Sequence, residues 1–374
     1  MTQPEAGNTG TMGAVASAVA GPADVPAGRV VRTVLGDIPP AALGVTLAHE
    51  HLLSDLRCYW RPDDDPELTL ERVTLGTVAR VRRSPWAARD NLLLDDLAGA
   101  AAELRAFKAA GGGAVIEVTS NGIGRDLVGL RVLAERTGVH IVGGTGWYIG
   151  ASHPASLARR DVAELAAEMV TELTLGVAGT DGIRAGVIGE IGAGSFPMSP
   201  GERLVLEAAA QAQVRTGAAI VAHPAPGHDS VDEVVEVLGR AGARLDRVVI
   251  SHLDERYRDD VTAFRRLAAA GPRFGFDTFG REQYFPARGR QHPSDADRIR
   301  AIALLVDAGL GDHLVLAQDI CLKQELAAFL GQGYTRIVDE TVERLRREGV
   351  PEAAIHAMLV ATPATVFALD MGAA

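Results

Sequence analysis

The chain has 374 residues, of which 47% are hydrophobic and 23% charged, and its net charge is -11. Those figures suit a globular chain with a sizeable core. No basic cluster is longer than Arg80 to Arg83, so no nucleic-acid partner is expected, and no apolar run is long enough to span a membrane. Two cysteines, Cys58 and Cys321, are too few for a disulfide framework and point to a reducing, cytoplasmic setting.

Residues 1–28 are rich in Ala, Gly and Pro. An export signal is the competing reading, but no basic region comes first, and Glu5 and Asp24 interrupt the run. A disordered tail is expected there, followed by a single domain over 29–374.

From about Arg29, short apolar runs alternate with helical patterns. The first run is Val45 to His51, and Cys58 to Leu94 is an irregular insertion too long for a plain connection. A helix over Asp95 to Ala110 ends at Gly111-Gly112-Gly113 and leads into the strand Ala114 to Thr119. A helix over Asp126 to Thr137 precedes the strand Val139 to Gly143. Asp161 to Leu175 is an amphipathic helix, with Val162, Leu165, Met169, Val170 and Leu173 on one face. The strand-like runs Ala185–Glu190, Ala218–His223, Asp246–His252, Arg273–Asp277 and His313–Asp319 follow, each separated from the next by a helical pattern. Helices then run to the end, around Thr335 to Glu348, Glu352 to Leu359 and Pro363 to Leu369.

Eight apolar strands alternating with helices imply right-handed crossovers and a parallel sheet. The expected fold is α/β, a (β/α)8 barrel of the TIM type in one domain. A doubly wound open sheet is the alternative. Its phosphate loop would need a glycine-rich turn after the first strand, and Gly143-Gly-Thr-Gly146 has neither that spacing nor that place.

In such a barrel the reactive residues sit at the C-terminal ends of the strands. The first run ends in His49-Glu50-His51, where alternation puts the two imidazoles on one face and Glu50 on the other. Glu190, His223, His252 and Asp319 close four later runs. Any one of them has a plain explanation: a histidine can hydrogen-bond a loop carbonyl, Glu190 can form a salt bridge, and Asp319 can cap a helix. Together they bring four imidazoles and two carboxylates to one mouth, where polar groups are costly unless paired or metal-bound.

Six ligands exceed the need of one zinc-like ion and suit two divalent ions bridged by Glu190. A water bridging two cations loses its proton near neutral pH and becomes a nucleophile, and Asp319 is placed to take a proton as it attacks. The other histidines, His140, His153, His228, His292, His313 and His356, carry weaker signals. Neither cysteine has a histidine partner on a matching motif. Candidate substrate contacts on the loops are Trp147, Tyr148, Arg281 and Tyr284, with Asn121, Pro224 to Gly227, Asp254 and Phe279 beside them. Arg281 could grip a substrate carboxylate.

The segments Thr46-Leu-Ala-His-Glu-His51, Gly122-Ile-Gly-Arg-Asp126, Gly189-Glu-Ile-Gly192, Ser251-His252 and Leu316-Ala-Gln-Asp319 resemble the phosphotriesterase family of the amidohydrolase superfamily, over about Val30 to Leu369. The resemblance implies metal ligation by His49, His51, Glu190, His223, His252 and Asp319, two zinc-like ions (manganese and cobalt being alternatives), and a homodimer. Many members carry a carboxylated lysine as the bridge. Glu190 stands there instead, as in the branch called phosphotriesterase-related proteins, so the site should assemble without added bicarbonate. Asp277-Thr-Phe-Gly280, Pro293 to Arg300, Asp319-Ile-Cys-Leu-Lys323 and Gly331-Gln-Gly-Tyr334 also resemble that branch.

The expected activity is hydrolysis of a lactone, carboxylic ester or N-acyl amide of a small molecule by metal-bridged hydroxide. A phosphotriesterase proper and a noncatalytic ligand-binding barrel are the alternatives.

Overall fold

Eight short apolar runs pair side by side in chain order, every pair parallel: β1 (Val45–Glu50), β2 (Gly112–Glu117), β3 (His140–Thr145), β4 (Val187–Gly192), β5 (Ile220–His223), β6 (Val248–Ile250), β7 (Arg273–Phe276) and β8 (Leu314–Leu316). This computed structural model describes residues 28–63, 66–70, 72–285 and 290–370. The expected N-terminal tail, apart from Gly28, lies outside the described residues. The architecture is a nearly closed (β/α)8 barrel ringed by helices, as the alternation of runs predicts. None of the helices among the described residues is long and apolar enough to cross a membrane.

The strands are apolar on both faces because both faces are covered. Outward residues such as Val115, Ile141, Ile220, Ile250 and Leu314 pack in one cluster with helix residues Leu104, Leu130, Leu165, Leu206 and Val234. Inward residues alternate with them and form a second cluster, including Ala114, Ile116, Val142, Val221, Val249 and Val315. Val31, Leu43 and Phe367 join that inner cluster from the N-terminal end of the barrel. The helices start at side-chain caps that the sequence supplies locally. Asp161, Ser199 and Ser294 each form a capping box with the acidic residue three positions on.

Further features lie outside the eight-fold pattern, a short hairpin of Tyr284–Phe285 with Arg290–Gln291 among them. At the N-terminal end, Arg29–Thr33 and Gly36–Ile38 form an antiparallel hairpin extended by Leu369–Asp370. Arg32 fastens it, binding Asp37 and donating from Nη1 to Leu173 O at 2.5 Å. At the C-terminal end, the insertion before the helix Leu97–Ala109 is a string of short helical turns with its own apolar cluster: Leu68, Val73, Val78, Val81, Ala87 and Ala88.

The barrel is stitched at its seam. β1 and β8 are the two edges of the sheet, and across them Glu50 accepts hydrogen bonds from the amides of Gln318 (2.7 Å) and Ile320 (2.9 Å).

Candidate metal centre

Alternation alone would aim most of the key side chains the wrong way. Leu47 belongs to the outer cluster and Ala48 to the inner one, so an unbroken β1 would send His49 outward. A register break between Leu47 and Glu50 re-aims the strand end. In β4, Val187 faces in and Ile188 faces out, and a second break between Ile188 and Ile191 does the same for Glu190. Gly189 makes that break possible, since its φ of +139° is one that side chains disfavour.

The six strand-end residues meet. Glu190 Oε1 lies 3.0 Å from His223 Nδ1, 3.3 Å from His252 Nε2 and 3.6 Å from His49 Nε2. Its Oε2 is 3.8 Å from His51 Nε2. Asp319 Oδ1 is 3.5 Å from the Nε2 atoms of both His49 and His51. Two groups have donor atoms close enough to share an ion, all within 4.8 Å of one another: His49 with His51 and Asp319, and His49 with Glu190 and His252.

The outward nitrogens are held by a second layer. His49 Nδ1 lies 3.1 Å from Ser251 Oγ and 3.2 Å from Asp277 Oδ2. His252 Nδ1 lies 2.8 Å from Asp277 Oδ1, and the His252 amide donates to that same oxygen at 2.8 Å. His51 Nδ1 is 2.9 Å from Thr119 Oγ1, which donates to Glu117 at 2.5 Å. Pinning Nδ1 fixes the ring and turns Nε2 toward the centre.

His252 (φ 60°) and Asp319 (φ 51°) both sit in the left-handed backbone region, which swings their side chains back over the mouth. Asp277 braces the first through its amide. Glu50 braces the second through the amides on either side of it.

The donor set fits divalent cations. Buried His49 Nε2 has no hydrogen-bond partner among the described residues, although it faces two carboxylates. Burial holds His51 down to about 4, against the pull of Asp319 and Glu190, so its ring stays neutral, the form that a cation would bind. Burial opposes a charge on Glu190, but His49 and His223 prevail and hold its carboxyl well below the usual range. Imidazole nitrogens with carboxylate oxygens are what a zinc-like ion takes.

A cavity of about 110 Å³ opens over this cluster, lined by Tyr59, Trp86, Tyr148, Glu255, Arg256, Thr278, Arg281, His292 and Cys321 together with His51, His223, His252 and Asp319. Tyr148 lines it, with its hydroxyl 3.2 Å from His223 Nδ1 and 2.8 Å from the Tyr59 hydroxyl. Burial, then the Glu190 charge, raises the Tyr148 phenol well above its ordinary value, so it stays protonated.

Arg281 also lines the cavity, but its guanidinium is already engaged. It donates to Asp319 Oδ2 at 2.9 Å and to Glu325 Oε1 at 3.0 Å. Trp147 packs in the outer apolar cluster with Arg160 over its ring, and Tyr284 is 54% exposed on a short hairpin; neither lines the cavity. Burial pushes the Cys321 thiol well above its ordinary value despite Arg281, which disfavours a thiolate nucleophile.

Asp277, Glu50, Glu117, Thr119, Ser251 and His292 are the site residues that spacing does not single out. Of these, Asp277 and Thr119 carry a signal, each as the polar closure of an apolar run.

The model of the phosphotriesterase family matches residues 29–367. N-acetyltaurine hydrolase of Tetraodon nigroviridis is 38% identical over 338 residues, covering 89% of this chain and 96% of that protein. The crystal structure of a resiniferatoxin-binding protein from Rhodobacter sphaeroides is similar at a TM-score of 0.87 and 37% identity, covering 92% of this chain and 96% of that one. A mutant of a phosphotriesterase-like lactonase from Deinococcus radiodurans is similar at a TM-score of 0.69 and 29% identity, covering 90% and 99%.

Proposed function

This chain belongs to the phosphotriesterase family of hydrolases, and from that premise we propose that it is a two-cation amide hydrolase that cleaves a small N-acylated amine bearing an anionic tail. The observation that carries the two-cation reading is Glu190, one carboxylate with three imidazole nitrogens within 3.6 Å of a single oxygen. The substrate class follows from the N-acetyltaurine hydrolase similar over nearly its whole length.

His49, His51 and Asp319 would hold one ion, His223 and His252 the other, and Glu190 both; zinc is the proposed metal, with manganese and cobalt as substitutes. When bound, the two ions supply Lewis acidity toward the acyl carbonyl and a water acidified to near neutral pH. The chain's own residues do the rest. Asp319 Oδ1, turned toward the imidazoles, takes the proton from the attacking water. Arg281 fixes Oδ2, so the carboxylate cannot rotate away. Tyr148, backed by Tyr59, offers a hydroxyl to the substrate oxygen beside His223.

A second reading, lactone hydrolysis, is favoured by the similarity to the Deinococcus radiodurans lactonase. A homodimer in the cytoplasm completes the proposal and is checked by sedimentation and by fractionation.

The test is a panel of N-acetyltaurine, N-acyl amino acids, lactones and an aryl dialkyl phosphate, run on zinc, manganese and cobalt forms with the metal content measured. Acyl amides should turn over fastest. Phosphate triester turnover faster by orders of magnitude would make it a phosphotriesterase. Metal below one ion per chain with no activity after reconstitution would make it a binding barrel.

A further inference from the structure

In the capping boxes at Asp161, Ser199 and Ser294, the acidic residue three positions on accepts from the amide of the cap. Glu164 and Asp297 do so at the surface, but Glu202 is only 3% exposed. Its Oε2 accepts from the Ser199 amide at 2.8 Å, which is all that the cap requires. Its Oε1 accepts from two more amides, Gly150 at 2.9 Å and Gly194 at 2.8 Å. Burying a carboxylate is costly unless its oxygens are hydrogen-bonded, and the other two boxes close their helices without burying one.

The two amides on Oε1 belong to different loops. Gly150 lies just beyond Tyr148, on the loop after β3. Gly194 lies just beyond Glu190 and Gly192, on the loop after β4, and lines the reaction cavity. One oxygen thus joins the segment that carries Tyr148 to the segment that follows the shared carboxylate of the metal centre. Both joints are close, since a Cβ on either glycine would come 3.3 Å from that Oε1. The Tyr148 carbonyl is held loosely by comparison: it accepts from the Gly192 amide at 3.4 Å and lies 3.3 Å from His153 Nε2. At the far end of the ring, the hydroxyl has to meet His223 and Tyr59, where any turn of the backbone is magnified.

We propose that Glu202 is a positioning residue of the reaction, aiming the Tyr148 hydroxyl at the substrate by pinning the loops after β3 and β4 to one buried carboxylate. This inference rests on the role given to Tyr148 above. Glu202 touches no reacting atom, and no proton passes through it. It acts by preorganisation, because a hydroxyl already aimed need not reorient as charge develops on the substrate oxygen.

The experiment is a cycle of Glu202→Gln and Tyr148→Phe, assayed on N-acetyltaurine with the zinc-loaded enzyme. Glutamine keeps the shape but sets an NH2 group where a carboxylate oxygen accepted, so an amide loses its partner. In Glu202→Gln, kcat should fall about 10-fold with KM and metal content nearly unchanged, short of the roughly 100-fold that an ångström of misplacement costs. In the Tyr148→Phe background the same substitution should cost less than about twofold, because its target is gone. An equal loss in both backgrounds would mean that Glu202 supports the fold alone, and overturns the proposal. Ser199→Ala is the control for the cap. It leaves both glycine amides on Glu202, so it should lower the melting temperature and spare kcat; a loss as large as that of Glu202→Gln overturns the proposal too.

Should Glu202→Gln fail to fold, hydrogen exchange in the wild type carries the test. The amides of Gly150 and Gly194 should open together and far more slowly than that of exposed Ser195 beside them, and an unprotected amide at either glycine overturns the clamp. A wild type inert toward acyl amides, or a Tyr148→Phe enzyme with full turnover, overturns the functional reading and this inference together. An impaired Tyr148→Phe beside an unimpaired Glu202→Gln overturns this inference alone.

Discussion

Asp319 has two carboxylate oxygens with two neighbourhoods, the imidazoles of His49 and His51 on one and Arg281 on the other. Asp319→Asn keeps the shape and an oxygen ligand but loses the basic site. We expect much of the metal to stay bound while turnover falls about 10²–10⁴-fold; near wild-type rates would show that the proton goes elsewhere. Asp277 touches two ligand candidates and stands behind both. Asp277→Asn should weaken metal affinity about 10–100-fold, with activity recovered at excess metal; a competition titration with a chelating dye reads the change.

Residues of the first kind are legible because each interrupts an apolar run at a strand end. Residues of the second kind hold other side chains, and their partners are scattered along the chain. Thr119 serves His51 and Ser251 serves His49, and no spacing links either pair.

Strands and helices are the most readable level of this chain. Helices predicted over Asp126 to Thr137 and Asp161 to Leu175 form at Leu127–Thr137 and Val162–Thr174, because their caps and apolar stripes are local. The two register breaks are not readable, since a break preserves composition and changes only aim. Gly189 is where this can be tested. A Cβ there would come 2.5 Å from Val221 O, and its φ resists a side chain. Gly189→Ala should leave the helical spectrum intact while Glu190 swings off target and metal content drops; full occupancy in that variant would remove the glycine from the account.

The N-terminal hairpin is likewise invisible in sequence, being two short strands without a period to detect. Its charge pairing has a signature in solution. The Arg32 hydrogen bonds, helped by Arg184, hold the Asp37 carboxyl below its ordinary value of 3.8 despite partial burial. A depressed carboxyl stabilises the fold above its unfolded pKa and loses that contribution as pH falls through the folded one. The melting-temperature gap between wild type and Asp37→Asn should therefore be widest near neutrality and close as the solution is acidified below 3.8. A gap independent of pH would show that the pairing contributes nothing.

At the scale of the whole molecule, six polar side chains from five strands share one mouth, and cations held there would make the gathering favourable. Ions that bind the folded chain stabilise it by about 2.7 kcal/mol at a hundredfold excess over Kd. Stripping them with a chelator should lower the melting temperature by several degrees, and zinc should restore it without bicarbonate. A melt indifferent to chelation would mean that the barrel does not depend on its ligands for stability.

The seam carries one more implication. Glu50 grips the amides that flank Asp319 across sequence separations of 268 and 270 residues. A ribosome must therefore emit the chain as far as Ile320 before Glu50 can clamp Asp319 in place. A product terminated ahead of Gln318 would lack Asp319 and both amides that Glu50 grips, so the mouth cannot be assembled before that point.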